Sequence, residues 1–328
     1  MLNVIVRKAH SFLFQRTSIG EILSKYFDIA HHLKFSFKEK NLNDDKVHLK
    51  YYLTKHYHII EKGLALSAPR LGFGQPKILS VIEKATLYER MYGTDTMVCS
   101  IRKTLLEYMQ FNETNKFVFP VNFQLRVKDF IARGHLDGNG GLKNLSKESA
   151  STLNIQEFSE FSKGRVSVRN FSSEDVSLDI LHSTVEIAKS APSVCNRQGW
   201  KVHLYSDKIK MKEILSYQNG NTGFTDSINK LIIVTADAKA FTRFESNQIF
   251  IDGGLFSMNL LLAIHAAGLG ACCLNTCYPY SMESKVKNVA FIPEEERLIM
   301  MIAVGCLKDR YSVALSTRNP TDDILVSH

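Results

Sequence analysis

The strongest constraint on the fold is an unbroken apolar run near the C-terminus, from Leu298 to Val304. A strand that is apolar at every position fits the centre of a sheet, where both of its faces are covered. Two further segments have strand character. Trp200 to Tyr205 alternates apolar and polar residues, and Leu231 to Thr235 is rich in β-branched side chains. The second half of the chain is therefore predicted to form a sheet.

Helical patterns separate these strand segments. Ser172 to Asp175 has the Ser-x-x-Asp spacing of a capping box and is predicted to open a helix that Pro192 ends. Asp252 to Ala267 is predicted to be a buried helix that stops at Gly268. Ser281 is predicted to cap a further short helix. The second half thus alternates helices with strands.

The first half is predicted to be mostly helical. One apolar stripe recurs at helical spacing: Leu49, Leu53, Tyr57 and Ile60. Gly63 is the predicted stop of that helix, and a second helix is predicted from Thr96 to Phe111. The segment from Gly134 to Lys147 is rich in Gly, Asn and Ser, which is typical of a linker. We therefore divide the chain into residues 1–160, a mainly helical basic extension, and residues 161–328, a second domain.

The composition excludes several classes of protein. Hydrophobic residues make up 45% of the 328 residues, too many for a disordered chain. No run of about 18 apolar residues occurs, so no transmembrane span is predicted. The first twenty residues lack any acidic side chain. A plain first helix explains them better than a transit peptide or a membrane-surface helix does.

The net charge of +8 comes almost entirely from the first half. Residues 1–160 carry 23 Lys and Arg against 16 Asp and Glu, whereas residues 161–328 carry 18 against 17. The basic residues are spread along the sequence rather than grouped in blocks. This spread favours a solvated helical surface over a nucleic-acid-binding surface.

The six cysteines fit no zinc-ligand spacing, because no CxxC pair is present. Cys272, Cys273 and Cys277 lie close together in the sequence, which leaves a metal or redox site open as an alternative to ordinary buried thiols. Six free thiols are typical of a reducing compartment, so the predicted location is the cytoplasm.

Arg165, Ser167 and Arg169 form the first segment with the chemistry of a binding site. Alternate residues of an extended segment point to the same side, so these three side chains would share one face. Two guanidinium groups beside a hydroxyl suit a phosphate, because arginine forks its donors onto phosphate oxygens. A solvated edge segment is the alternative that this segment alone leaves open.

Residues 191–200 place hydroxyl and amide groups in a turn between a helix and a strand. The side chains of Ser193, Asn196 and Gln198 can donate to and accept from a flat heteroaromatic ring, such as an isoalloxazine. Pro192 and Gly199 would also occur in an ordinary helix-ending turn, which remains the alternative.

Together with two later segments, these residues resemble the FMN-dependent nitroreductase family. The matching positions are Arg165, Ser167, Arg169 and Phe171, then Pro192, Ser193, Asn196, Gln198 and Trp200, then Asp252, Gly254, Gly268, Gly270, Gly305 and Arg318. Val166 and Gly199 stand where the family typically has arginine and proline. We expect FMN binding to survive both changes, because Val166 should point away from the phosphate. The resemblance covers about half of the chain.

The resemblance implies an α+β fold, a mostly antiparallel sheet flanked by helices, in a homodimer with two FMN sites at its interface. It implies that Arg165, Ser167, Arg169 and Arg318 hold the FMN phosphate, and that Pro192, Ser193 and Asn196, with Gln198 in the same turn, serve the flavin of the partner subunit. It also implies that Asn275 and Thr276 lie near the reactive edge of the flavin.

The same resemblance implies an oxidoreductase that passes electrons from NAD(P)H to a small electron-poor acceptor, such as a nitro compound or a quinone, by a ping-pong mechanism. The cofactor would carry the chemistry while the protein supplies orientation, so we nominate no catalytic acid or base. A specialised biosynthetic dehydrogenase or dehalogenase is an alternative. Another is a binding module whose flavin domain is structural.

The extension adds no established chemistry, and it could cover the flavin site, bind a substrate or thicken a dimer. His56, His58 and Glu61 match no standard zinc motif, so surface residues of a helix explain them better than metal ligands do. His203 and His265 lie in apolar segments and are predicted to be core histidines.

Overall fold

The computed structural model describes residues 18–38, 42, 45–147 and 151–328. These residues form an α+β structure with ten α-helices and one four-stranded sheet. The helices are α1 (Ser18–Phe35), α2 (Lys46–Leu64), α3 (Gln75–Tyr92), α4 (Thr96–Thr114), α5 (Val121–Ala132), α6 (Ile155–Gly164), α7 (Leu178–Ala188), α8 (Lys208–Leu215), α9 (Gln248–Ala266) and α10 (Tyr280–Ala290). The strands are β1 (Trp200–Tyr205), β2 (Lys230–Asp237), β3 (Leu269–Leu274) and β4 (Glu296–Cys306).

The sheet is antiparallel throughout and has the strand order β1-β2-β4-β3. β2 and β4 are central, and every residue of β2 is buried. Successive β2 residues face opposite sides, because Leu231 and Ile233 belong to one core and Ile232 and Val234 to another. The predicted α+β class and the predicted strands are confirmed.

Helices cover both faces of the sheet. α8 and α10 pack on one face, where Ile214 and Val286 are buried. α7 and α9 pack on the other face, where Leu181 and Leu260 are buried. α9 is long and apolar enough to cross a membrane, but half of that stretch is buried and the helix contacts all four strands. Its apolar composition is therefore that of a core helix.

Helices α2 to α5 build a separate apolar core. The predicted stripe on α2 is confirmed for Leu49, Leu53 and Ile60, which are at most 2% exposed, and Tyr57 packs at the margin. Gly63 lies inside the last turn of α2 instead of ending it. The helical character predicted for this half is therefore correct.

α4 begins at Thr96, as predicted, because the Asp95 carboxylate caps its first turn. That carboxylate accepts hydrogen bonds from the amides of Met97 and Val98 at 3.0 and 3.2 Å. A buried ion pair, Arg102 to Glu89 at 2.6 Å, ties α4 to α3.

The glycine-rich segment predicted as a linker lies tightly against α4. A Cβ at Gly138 or Gly140 would collide with the backbone of Ser100. The Gly141 amide donates to the Glu61 carboxylate at 3.0 Å. Glycine is needed in this segment because its backbone meets the backbone of a helix, so the segment is a fixed connection.

The two cores meet where α2 reaches one end of the sheet. Tyr51 of α2 is buried with Ala236 and Phe241. Its hydroxyl donates to the Asp237 carboxylate at 3.4 Å. Burial raises the pKa of Asp237 to about 6.

The predicted capping box at Ser172 is wrong. The Ser172 hydroxyl accepts from the Glu174 amide, and Asp175 pairs with Lys230 at 2.6 Å. Ser-x-x-Asp spacing also fits such a local turn. α7 therefore begins later, at Leu178.

The cap predicted at Ser281 is also displaced. α10 begins at Tyr280, two residues earlier than a cap at Ser281 implies, and Pro279 occupies its N-cap position with a φ of −57°. Proline holds φ near this value, so it can lead directly into a helix. Ser281 consequently lies in the first turn of α10.

Candidate functional site

The segment from Arg165 to Arg169 lies along the outer edge of β3. The Val168 amide donates to the Ala271 carbonyl at 2.9 Å, and Ser167 forms a parallel bridge with Ala271. The segment is therefore extended, which is the condition on which its predicted alternation depends.

Its side chains differ in exposure. Val168 is buried and Arg169 is exposed, whereas Arg165, Val166 and Ser167 are each partly buried. Val166 packs against the same core as Val168. In the described part of the chain, neither arginine has a carboxylate within 4.0 Å. Both guanidinium groups are therefore available to an anionic ligand.

A cavity of about 650 Å³ opens beside Arg169 and is bounded by residues 223–227. The same loop reaches the end of β3, because the Gln218 side chain donates to the Asn275 carbonyl at 2.7 Å. Sequence reasoning missed Gln218 as a residue of this region. The amide-rich stretch that follows it, Asn219-Gly220-Asn221, was the signal that could have indicated a polar loop.

Asn275 and Thr276 follow β3 directly. The Thr276 hydroxyl donates to the Ile299 carbonyl at 3.0 Å, which ties this loop to β4. Arg165 borders the opposite end of β3, beside Leu269. The parallel bridge between Ser167 and Ala271 places Arg169 beside Cys273. The two arginines are therefore about 13 Å apart along this edge, and an anionic group held by both must lie between them.

The turn from Pro192 to Gln198 has an unusual backbone. Cys195, Asn196 and Gln198 have φ values of 50°, 55° and 52°, a left-handed conformation that residues other than glycine rarely adopt. The Gln198 amide donates to the Ser193 hydroxyl at 3.0 Å, and its side chain donates to Asn196 Oδ1 at 3.1 Å. Strain of this kind persists only where surrounding contacts impose it, and it concentrates at binding sites.

Asp252 holds this turn from α9. The side chain is 1% exposed and accepts from the Val194 amide at 3.0 Å and from the Gln248 side chain at 2.7 Å. Burial raises the pKa of Asp252. From the sequence, Asp252 was predicted as the start of a core helix and as a position shared with the nitroreductase family; the structure gives its carboxylate a positioning role as well.

The predicted site residues lie at opposite edges of the sheet. The Arg165–Arg169 segment borders β3, and the Pro192–Gln198 turn leads into β1. Three strand spacings of about 4.8 Å separate these edges by about 14 Å. Arg318 joins neither group, because it is exposed and donates to the Ser316 carbonyl of its own tail. One chain therefore does not bring the predicted residues together in one place.

The model of the nitroreductase family matches residues 163–222 and 206–306. These ranges contain both edge groups and the Asn275–Thr276 loop. The second half of this chain therefore matches the nitroreductase family over residues 163–306. Helices α1 to α5 precede the nitroreductase domain and lie outside the match.

Solved structures similar to this chain include three bacterial proteins. A nitroreductase family protein from Streptococcus pneumoniae is 22% identical, with a TM-score of 0.45 over 52% of this chain and 100% of its own. An FMN-dependent nitroreductase from Clostridium difficile is 19% identical, with a TM-score of 0.42 over 49% of this chain and 92% of its own. A nitroreductase-like protein from Streptococcus mutans is 18% identical, with a TM-score of 0.47 over 53% of this chain and 100% of its own.

Two histidines of the nitroreductase domain have polar or aromatic partners. His203 Nε2 lies 2.6 Å from Glu296 Oε2. His265 packs against the Phe161 ring at a centroid distance of 5.1 Å, and it also borders the small cavity beside Arg165.

In the helical bundle formed by α2 to α5, His56 is buried, whereas it was predicted to lie on the surface. Its Nδ1 lies 2.8 Å from the Tyr52 carbonyl, and burial lowers its pKa to about 4. His58 instead pairs with Glu61 at 2.9 Å. Within the described residues, no three His, Cys, Asp or Glu side chains converge as metal ligands would.

The cysteines of β3 are thiols in the core. Burial raises the pKa of Cys272 and of Cys273, which lowers the thiolate fraction and hence their reactivity at neutral pH. Cys277 is exposed, and all six cysteines are free.

Proposed function

We propose that the nitroreductase domain is an FMN-dependent oxidoreductase that moves electrons from NAD(P)H to a small electron-poor acceptor. The observation that carries this proposal is the β3 edge. It has two arginines without ion-pair partners in the described structure, a hydroxyl between them, and about 20 Å of strand leading to the Asn275–Thr276 loop.

The β3 edge fits the phosphate of FMN. Arg165 and Arg169 would direct guanidinium donors at phosphate oxygens, and the Ser167 hydroxyl would add a third donor. Val166 and Val168 pack into the core behind this face, so the departure at Val166 removes no donor from it.

The chemistry that bound FMN supplies is hydride acceptance from NAD(P)H, followed by electron transfer to an acceptor in the same place. The chain would bind and orient both reactants and limit the access of water. Asn275 and Thr276 would lie beside the reactive edge, and the hydrogen bond from Thr276 to Ile299 would fix the loop there.

We also propose a homodimer with FMN at its interface. Because Ser193 and Asn196 lie at the β1 edge, a second copy must supply them if they are to reach a flavin on the β3 edge. Apolar side chains on the outer face of α9 are well exposed in one chain: Phe250, Ile251, Leu255 and Met258. An apolar face of this extent is typical of an interface.

The exposed tail would then contribute as well. Leu315 is 97% exposed and Arg318 is exposed beyond β4, where its guanidinium donates to the Ser316 carbonyl of the same tail. On a partner copy, Arg318 could complete the set of phosphate ligands. The six free thiols support a reducing compartment, so we place this activity in the cytoplasm.

An absorbance spectrum of the purified protein, before and after anaerobic addition of NAD(P)H, tests the proposal. We expect flavin bands that bleach on addition. A protein that takes up no flavin after soaking with FMN would contradict the proposal and favour a binding module instead. Flavin bands that NADH and NADPH both leave unchanged would contradict the assigned reductant.

A further inference from the structure

α1 lies against the nitroreductase domain with its polar face inward. Four of its apolar side chains are turned outward and are 59–66% exposed: Ile19, Ile22, Tyr26 and Ile29. A helix that docks by apolar burial has the reverse orientation. The inward position of the polar face therefore requires an explanation other than hydrophobic burial.

Specific contacts fix this orientation. The rings of Phe27 and Tyr280 stack at 4.9 Å with an interplanar angle of 13°. The Arg297 guanidinium donates to Asp28 at 2.9 Å and to both oxygens of Glu283 at 2.9 Å. α1 is thus tied to the start of α10 and to β4.

These contacts leave a cavity of about 790 Å³ between α1 and the loop that follows β3. Ser18, Glu21 and Lys25 line the α1 wall, and Thr276 and Tyr278 line the opposite wall. Pockets for small molecules commonly have volumes of about 300–1,000 Å³. The polar face of α1 therefore faces a space of ligand size that borders Thr276.

The charges around this cavity are unequal. Arg297 is buried and neutralises only one of its two carboxylate partners, Asp28 and Glu283. Lys25 lies 3.8 Å from Asp28 and offsets the other negative charge. Glu21 has no ion-pair partner among the described residues, so its charge gives the wall a net negative excess.

We propose that α1 forms the acceptor-side wall of the active site, and that Glu21 makes this pocket select neutral or cationic electron-poor acceptors over anionic ones. This inference rests on the proposed function, because that function places Thr276 beside the reactive edge. It assigns the first described helix of the extension to substrate selection.

The test is a matched series of nitroarenes that differ in charge: 4-nitrobenzylamine, 4-nitrobenzamide and 4-nitrobenzoate. We expect kcat/KM to fall in that order at neutral pH. Glu21→Gln should reduce the preference for the amine over the carboxylate by about fivefold, the size expected of one partly solvated charge a few ångströms away. Glu83→Gln, at an exposed glutamate of α3, is the matched control and should leave the preference unchanged.

Equilibrium binding gives a readout that does not depend on turnover. Calorimetry with benzylamine, benzamide and benzoate on the oxidised protein should show the same order of affinity and the same loss in Glu21→Gln. An equal response to all three charges, or an equal effect of both glutamate variants, would overturn the inference. A protein without flavin would instead overturn the proposed function, so the two failures are distinguishable.

Discussion

The two edges of the sheet differ in how their polar side chains are engaged. At the β3 edge, Arg165 and Arg169 have no ion-pair partner in the described structure. At the β1 edge, Ser193, Asn196 and Gln198 bond to one another within a strained turn. The first edge has donors available for a ligand, whereas the second has a geometry that its own contacts already impose.

This difference indicates a division of tasks between the edges. Unpaired guanidinium groups supply affinity for an anion, because each forms charge-assisted hydrogen bonds only when the ligand arrives. A turn that is already fixed loses little conformational entropy on binding and therefore suits orientation of a planar ring.

Removing the donors of the β3 edge should have the largest effect. Arg165→Ala combined with Arg169→Ala should weaken FMN binding at least about 100-fold, because two charge-assisted interactions of about 1.5–3 kcal/mol each are lost. Flavin content after gel filtration and a fluorescence titration measure this change. Arg90→Ala with Arg126→Ala, at exposed arginines of the helical bundle, is the control. Full FMN occupancy in the β3-edge variant would refute the phosphate assignment.

Combining the two edges in one dimer should restore half of the sites. A heterodimer of the Arg165→Ala/Arg169→Ala chain with a Ser193→Ala/Asn196→Ala chain would contain one intact site and one site that lacks both edges. Purified by two different tags, the heterodimer should have about half of the wild-type rate of NAD(P)H oxidation per dimer, whereas homodimers of either variant should have almost none. A heterodimer as inactive as the two homodimers would show that each site uses the two edges of a single chain.

Releasing the β1-edge turn should have a smaller effect, seen mainly in stability. In Asp252→Asn, the amide group can accept from only one of the two donors, the Val194 amide and the Gln248 side chain. The partly buried donor left unpaired should lower the free energy of unfolding by about 2 kcal/mol. Urea denaturation measures this free energy of unfolding, and Asp309→Asn in the exposed tail is the control. If both variants are equally stable, Asp252 does not hold the turn.

The smallest expected effect is the dependence of stability on pH that Asp237 causes. Asp237 lies next to this turn, because its backbone amide donates to the Gly199 carbonyl at 2.8 Å. Folding raises its pKa from 3.8 to about 6 through burial, so the folded state favours the protonated acid. Its contribution to stability is therefore fully present below about pH 4 and is lost as the pH rises through about 6.

Asp237→Asn cannot ionise and should remove this dependence on pH. Between pH 5 and pH 8, the wild-type chain should lose about 1–2 kcal/mol more stability than the variant does. Denaturation at the two pH values, again against Asp309→Asn, measures the difference. Parallel pH profiles of wild type and Asp237→Asn would contradict the raised pKa.

Much of the sheet could be predicted because strands have a local signature. Trp200 to Tyr205 has the same bounds in the sequence pattern and in β1, and the apolar run from Leu298 lies inside β4. The start of α7 was predicted wrongly, because spacing from Ser172 to Asp175 fits either a helix cap or a local turn. Only the pairing of Asp175 with Lys230 decides between them.

The amphipathic pattern of α1 would by itself favour an apolar face toward the protein. The structure has the opposite orientation, because the ion pair of Arg297 with Asp28 and the stacking of Phe27 on Tyr280 fix the helix. These contacts join residues more than 250 positions apart, so the local periodicity of apolar residues in the sequence does not predict them.

The sequence by itself determined β1, β2 and β4, the extended segment that carries Arg165, Ser167 and Arg169, and the resemblance to the nitroreductase family. These features depend on neighbouring residues and on the order of motifs. Only the tertiary structure decided that the predicted site residues lie at opposite edges, that Asp252 holds the turn at Val194, and that α1 faces inward with its polar side. Those features depend on contacts between distant segments, which strand order and packing create and which a local pattern does not contain.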